Sequence, residues 1–145
     1  MTQHTPGIWR NGIVWIFALI VVILVSPYSA SVAEARDITI RFAPNVLNLA
    51  NQGEVVTIHT GEPYSEIVGA SVVVVPDSGD PVAICWWKSD NRGDFVAKFA
   101  MEEIKDLPGI SADETYHFVL HATTTSGETL VGTADIKIID RSTRF

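Results

Sequence analysis

Histidines and carboxylates are the side chains of this sequence that could hold a metal ion. After residue 35 the histidines are His59, His117 and His121. On one strand His117 and His121 would share a face, but they would lie about 13 Å apart at about 3.3 Å per residue, too far to bind one ion together. A zinc site would need His59 and a carboxylate from elsewhere. The sequence therefore predicts no metal centre and no bound cofactor.

The polar segment from Asp90 to Asp94 (DNRGD) supports three interpretations. The oxygen atoms of Asp90, Asn91 and Asp94 close to a glycine resemble a calcium loop, although the spacing and terminal glutamate of an EF-hand are absent. Residues 92–94 also spell the Arg-Gly-Asp tripeptide that integrins bind. The simplest interpretation is a hairpin turn, because Asn and Gly both accept a positive φ.

Two adjacent tryptophans, Trp86 and Trp87, are the most unusual local feature. Neighbouring residues of a strand point to opposite faces, so one indole would enter the core with Val82 and Ile84 while the other lies on the opposite face. An exposed Trp87 could stack on a sugar ring or anchor a protein partner, and Tyr64 could add to such a surface. The alternative is that a loop or a short helix covers the indole.

The sequence contains little that would support nucleophilic catalysis. No serine after residue 35 lies in a G-x-S-x-G elbow or beside an obvious base, and the pair Glu102 and Glu103 lies on the predicted exposed face of a short helix. No phosphate-binding loop, dinucleotide fingerprint or haem-attachment motif is present. The sequence predicts a protein that is not an enzyme.

Charge and cysteine content limit the partners and the source of stability. The net charge is −7, which argues against nucleic acid or an anionic membrane surface as a partner. Cys85 is the single cysteine, so the chain can form no internal disulfide. It lies in an apolar run and is predicted to be a small buried hydrophobic residue.

Short alternating segments separated by turn residues predict an all-β fold. Residues 37–43, for example, alternate Ile38, Ile40 and Phe42 with polar side chains, which is the pattern of a half-buried strand. The predicted strands are 37–43, 46–49, 54–60, 67–75, 82–88, 94–100, 115–123 and 129–140. A short helix is predicted from Met101 to Leu107, before Pro108. Seven or eight such strands indicate an antiparallel two-sheet sandwich.

The N-terminal region has the pattern of an export signal. Arg10 precedes an apolar run at residues 13–25, and small residues follow it. Thirteen helical residues extend about 20 Å, whereas a membrane core is about 30 Å thick. We expect a signal peptide over residues 1–35, cleaved after Ala33 or Ala35, and a single domain over residues 36–145. If the leader is retained, residues 13–25 would tether the domain to the membrane.

The opening of the domain resembles a known module. Ile38 to Pro44 (ITIRFAP), Val46 to Leu49 (VLNL) and Gly53 to Thr57 (GEVVT) follow the "I-x-I-x-P-x-x-L-N-L-x-S-x-G-x-x-V-T" opening of a small immunoglobulin-like module in exported bacterial and archaeal proteins. The segments 67–72 (IVGASV), 90–99 (DNRGDFVAKF) and 132–138 (GTADIKI) match later parts of the same pattern.

This resemblance covers nearly all of the predicted domain. It implies an immunoglobulin-like β-sandwich that serves as a spacer, adhesion or binding module, with no catalytic residues to carry over. Two features depart from the pattern: the Trp86 and Trp87 pair, and Glu62-Pro63-Tyr64 where a glycine commonly precedes the tyrosine.

Two functions from different classes follow from the sequence. The favoured one is a non-catalytic, secreted or periplasmic module that is structural or binds a protein at the cell envelope. The alternative is a ligand-binding domain, which would take a carbohydrate at an exposed Trp or calcium at the turn from Asp90 to Asp94. Contact with a membrane is expected only through an uncleaved N-terminal segment.

Overall fold

Two β-sheets stacked face to face make up the domain in the computed structural model, which describes residues 34–77 and 79–141. One α-helix, α1 (Met101–Lys105), and two 3-10 turns, Tyr64–Glu66 and Gly69–Ser71, accompany the strands in these ranges. No helix there is long and apolar enough to cross a membrane. The strands are β1 (Arg36–Thr39), β2 (Arg41–Ala43), β3 (Val46–Asn48), β4 (Val55–Pro63), β5 (Val73–Pro76), β6 (Val82–Ala83), β7 (Trp86–Ser89), β8 (Asp94–Ala100), β9 (Thr115–Thr123) and β10 (Thr129–Ile139).

The strands are divided between a larger and a smaller sheet. The first sheet has the order β1-β10-β9-β5-β6, with β3 also paired to β10, and the second has the order β2-β4-β8-β7. β1 and β3 run parallel to β10 at its two ends, and the other strand pairs are antiparallel. The prediction of an all-β, antiparallel two-sheet sandwich is confirmed.

Side chains alternate between the two faces of each strand, and the apolar side chains that point inward fill the space between the sheets. On β8, Phe95 and Phe99 face inward, and on β9 Phe118 and Leu120 do the same. Phe42 of the second sheet and Phe118 of the first have ring centroids 5.7 Å apart, so the two sheets are in direct aromatic contact. Burying each such side chain contributes about 1.5–3 kcal/mol, and this core is built without a disulfide.

Two of the predicted strands change sheets part-way along. The segment 37–43 breaks at Ile40, so β1 lies in the first sheet and β2 in the second. Ile40 packs closely on Gly132, where a Cβ would lie 2.5 Å from Cγ2 of Ile40. The segment 82–88 breaks at Ile84 and Cys85, so β6 belongs to the first sheet and β7 to the second. These breaks turn eight predicted segments into ten strands.

The connections are mostly those expected from the turn residues. Gly93 (φ 88°) lies in the hairpin between β7 and β8, and Gly127 (φ 90°) in the hairpin between β9 and β10. In α1, Met101 and Ile104 are buried, as their spacing of three predicts. The predicted strand 67–75 is shorter, because the 3-10 turn Gly69–Ser71 interrupts it before β5.

Residues 1–33 include the predicted apolar leader and the cleavage position after Ala33, and they lie outside the described residues. The second predicted cleavage position, after Ala35, directly precedes β1.

Candidate binding surfaces around the edge strand β7

Strand β7 is the edge of the second sheet, and all four of its residues are exposed. It pairs with β8 on one side, with Lys88 opposite Val96. The N–H of Asp90 donates to the carbonyl of Asp94, and antiparallel main-chain bonds alternate along a strand. Lys88 therefore bonds to β8, whereas the main-chain groups of Trp87 and Ser89 point away from it. Among the described residues no strand pairs with the other side of β7, which therefore presents a free strand edge.

Trp87 lies on the core-facing side of β7 at the rim of the sandwich, and 38% of the residue is exposed. Its indole rests against the 3-10 turn Gly69–Ser71: a Cβ on Gly69 would lie 2.1 Å from Cε2 of Trp87. Val68, next to Gly69, is also exposed. The turn therefore supports the indole, which remains partly exposed.

Tyr64 belongs to the same rim. It is 41% exposed, and its ring stacks on Phe95 with centroids 6.0 Å apart. Phe95 is paired with Ser89 of β7, two residues from Trp87. We call Tyr64, Val68 and Trp87, together with the free edge of β7, the edge patch. Two of its members, Trp87 and Tyr64, are aromatic residues predicted from the sequence.

Trp86 lies on the opposite, outer face of the second sheet and is 45% exposed. It pairs with Lys98 of β8, whose Nζ lies 5.5 Å from the centroid of the Trp86 ring, a cation–π distance. The expectation that one indole enters the core with Val82 is therefore wrong. The break between β6 and β7 interrupts the alternation of inward and outward side chains. Trp86 therefore does not point to the same side as Val82.

Cys85 is exposed, in contrast to the predicted burial. It lies in the crossover between the sheets, where its N–H donates to the carbonyl of Lys98 and its thiol makes a second hydrogen bond to the same oxygen at 3.0 Å. The apolar run from Val82 to Trp87 is therefore a crossing and an edge strand, and it is not the buried strand its composition indicated.

The outer face of the second sheet gathers basic side chains. Register places Trp86 and Lys98 in one row across the strands, and it places Lys88, His59 and Arg41 in the next row. We call these five residues the basic face. The strand assignments of the sequence contained each residue, but the order of strands that brings them together was not predicted.

Val96 shows that the basic face is well packed. It points outward between Lys88 and His59, outside the main core, yet it is only 1% exposed. The neighbouring side chains therefore cover it, as long basic side chains do when their aliphatic stems lie along an apolar surface.

The electrostatics of the basic face centre on Lys98. Burial lowers the pKa of the Lys98 ammonium, and the charge of Lys88 lowers it further. The Nζ of Lys98 donates to Oγ1 of Thr57. Within the described ranges, the ion pairs formed by basic side chains involve Arg36, Arg92, Lys105 and His117, and none involves Lys88, Lys98 or Arg41.

An open cleft of about 490 Å³ adjoins the basic face and shares Arg41 and His59 with it. Two of its carboxylates are already paired: Glu62 lies 3.0 Å from Arg36, and Asp94 lies 3.0 Å from Arg92. Asp37 also lines the cleft.

The turn from Asp90 to Asp94 is a hairpin turn, as its simplest interpretation predicted. Oδ1 of Asp90 accepts the N–H of Arg92 at 2.8 Å and the N–H of Asp94 at 3.0 Å. The bond from Arg92 is the main reason that the pKa of Asp90 is held below its usual value. The Arg92 guanidinium lies 3.0 Å from Oδ2 of Asp94 and 3.7 Å from Oδ2 of Asp90, so it takes the position that a bound cation would need.

The histidines do not come together. Nδ1 of His117 lies 2.8 Å from Oδ1 of Asp135 on the outer face of the first sheet, and His59 belongs to the second sheet. In residues 34–77 and 79–141, no three His, Cys, Asp or Glu side chains are close enough to hold a metal ion.

Comparisons with known proteins give one structural likeness. No protein-family model matches the chain, and no curated protein matches it. Among solved structures, the chain is similar to CopC from Methylosinus trichosporium OB3b, with 10% sequence identity and a TM-score of 0.43 over 74% of this chain and 99% of that one.

Proposed function

We propose that this chain is a non-catalytic, exported β-sandwich that acts as a protein-interaction module at the cell envelope. In this proposal it belongs to the immunoglobulin-like modules that its opening sequence resembles. The observation that carries the proposal is the edge patch: Trp87 and Tyr64 lie exposed beside a free strand edge.

Such a patch has the components of a protein-binding site. Trp and Tyr are enriched among the residues that contribute most to binding energy, and a free strand edge can accept a strand from a partner. The support of Trp87 by Gly69 adds to this, because an indole held in place loses little conformational entropy when a partner covers it.

Export is the second element of the proposal, and it depends on the predicted leader. Cleavage after Ala33 or Ala35 would release the domain to the periplasm or the exterior, whereas retention of residues 13–25 would display it on the membrane. Apolar side chains of both sheets form the core, and with Cys85 as the single cysteine no internal disulfide has to form after export.

The proposal is tested by co-sedimentation of the purified domain, residues 36–145, with cell envelopes of the source organism. The decisive variants are Trp87→Ala, Tyr64→Ala and Ser89→Pro. Proline at position 89 removes an outward main-chain donor and leaves the bonds to β8 in place. Val46→Ala is the matched control, because Val46 is an exposed apolar residue on β3 of the first sheet.

We expect the wild-type domain and Val46→Ala to sediment with the envelopes, and the three edge-patch variants to stay in the supernatant. Protease treatment of the envelopes should abolish binding if the partner is a protein. The proposal is wrong if the wild-type domain does not sediment, or if folded edge-patch variants sediment as well as the wild type does.

A carbohydrate ligand is the second candidate, and it is favoured by a different residue from the one the sequence singled out. Trp86, not Trp87, presents its indole on an open sheet face beside a lysine. The turn from Asp90 to Asp94 does not favour calcium, because Arg92 already lies between its two carboxylates and forms ion pairs with them.

A further inference from the structure

The basic face concentrates positive charge on an acidic protein. The chain as a whole has a net charge of −7, yet Arg41, Lys88 and Lys98 lie in two adjacent rows of one sheet face. No carboxylate occupies either row between β2 and β7. Asp90 is near His59, but its carboxylate is bound by the N–H groups of its own hairpin.

In the part of the chain that the structure describes, Lys88, Lys98 and Arg41 form no ion pair. Lys98 is partly desolvated, lies close enough to Lys88 to be repelled by it, and has Thr57 as its hydrogen-bond partner. A negatively charged ligand would supply the missing partner, and pairs between opposite charges are stronger where water is partly excluded.

Trp86 adds a flat apolar surface at one end of the basic face. Its indole contacts Lys98 and remains 45% exposed. A sugar ring presents C–H groups on its face and polar groups at its rim, so it can stack on an indole while its substituents reach neighbouring cations. A carboxylated sugar satisfies both kinds of group at once.

The dimensions favour a chain of sugars over a single one. From Lys88 on β7 to Arg41 on β2 there are three gaps between strands, or about 14 Å at about 4.8 Å each. The cleft of about 490 Å³ beyond Arg41 and His59 is lined by Asp37, Glu62 and Asp94, so the surface that suits an acidic ligand ends at Arg41.

We propose that the outer face of the second sheet binds an acidic polysaccharide, with Trp86 stacking on a sugar ring and Lys88, Lys98 and Arg41 pairing with carboxylates. This goes beyond the protein-interaction role of the edge patch and gives the carbohydrate candidate a ligand class and a site. The polymer runs across the strands, from Trp86 towards Arg41.

The test is calorimetric titration of the domain with a decamer of galacturonic acid at low ionic strength. Three further probes separate the ligand classes: the fully methyl-esterified decamer, which has the sugars without the charge; poly-L-glutamate, which has the charge without the sugars; and a single-stranded DNA oligonucleotide. We expect the acidic decamer to bind most tightly, and its affinity to fall as salt is added.

Matched variants locate the site. Trp86→Ala should weaken binding of the acidic decamer by about tenfold or more and Lys88→Gln by about threefold, which are the usual effects of losing an aromatic anchor and one charge pair. Trp87→Ala and Lys137→Gln should leave the affinity within about twofold. Trp87 lies on the other side of β7, and Lys137 is exposed on the first sheet.

Four results would overturn the inference. They are the absence of binding, equal binding of the methyl ester, equal or tighter binding of poly-L-glutamate or DNA, and equal losses from Trp86→Ala and Trp87→Ala. The protease-sensitive part of envelope binding separates the two proposals, because it reports a protein partner of Trp87 and Tyr64 and not a polysaccharide. A domain that binds the decamer but not envelopes therefore refutes the edge patch alone.

Discussion

The indole of Trp87 lies directly against the backbone of Gly69, so closely that a Cβ at position 69 would be 2.1 Å from Cε2 of the ring. Alanine at this position must push the indole away. We expect Gly69→Ala to lower the free energy of unfolding by about 1 kcal/mol, at the low end of overpacking effects, because the ring can move towards solvent. Chemical denaturation monitored by tryptophan fluorescence measures the change.

The control for this prediction is the same substitution in a Trp87→Ala background. If the contact between ring and backbone is the cause, Gly69→Ala should change the free energy of unfolding little in the Trp87→Ala background. The difference between the two backgrounds is the coupling energy of the double-mutant cycle. An equal cost in both backgrounds would mean that the backbone conformation of the turn, and not the indole, requires glycine.

Asp90 should make the stability of the domain sensitive to acid. Its pKa is held below the usual 3.8, chiefly by the N–H of Arg92. A carboxyl group whose pKa is lower in the folded state stabilises that state above its ordinary pKa, and this contribution is lost as the pH falls through the folded-state pKa.

We therefore expect Asp90→Ala to lower the thermal midpoint at pH 7 and to differ progressively less from the wild type below pH 3.8. Asp90→Asn keeps an oxygen acceptor for the two N–H groups. Its thermal midpoint at pH 7 should lie between those of Asp90→Ala and the wild type. Thermal unfolding from pH 2 to 7 tests this order. A constant difference between Asp90→Ala and the wild type across that range would contradict the titration of Asp90 as the cause.

Calcium should have little effect on the domain as it stands. Arg92 lies within 3.0 Å of Asp94 and competes directly with a cation for the turn. The thermal midpoint should be the same in millimolar calcium and in chelator. Arg92→Gln is the informative variant, since a calcium-dependent rise in its midpoint alone would show that the guanidinium blocks a cation site, whereas a rise in the wild type would contradict the prediction.

The mature N-terminus is expected at residue 34 or residue 36. Intact-mass spectrometry of the protein isolated from the source organism distinguishes these from the uncleaved form. A protein that retains Met1, or that begins before Ser31, would contradict cleavage and favour display of the domain on a tether.

The sandwich could be predicted from the sequence because alternation is a local signal. Ile38, Ile40 and Phe42 read as one strand, and all three do face apolar surroundings. That the chain changes sheets at Ile40 depends on Gly132, which is almost a hundred residues away and leaves room for the Ile40 side chain. No local pattern contains that information.

The binding surfaces also depend on contacts between distant parts of the chain. Trp86, Trp87 and Tyr64 could be predicted as candidates, because large aromatic residues outside a clear core pattern are suited to binding a ligand or a partner. Which side of β7 each indole takes depends on the break after β6, so the side expected for Trp86 was wrong. The basic face required knowing that β7 and β2 lie in one sheet, because Lys88 and Arg41 are far apart in the chain.

The pairing of β10 with both β1 and β3 has a consequence for the order of events during synthesis. Among the described strands, the first and the third pair only with the last one, β10. The first sheet therefore cannot be completed until almost all of the domain has been made. Contacts between such distant parts of a chain also form slowly. In the proposed export, a chain of this topology would stay unfolded during translocation and would complete its first sheet only after the C-terminal strand had crossed the membrane.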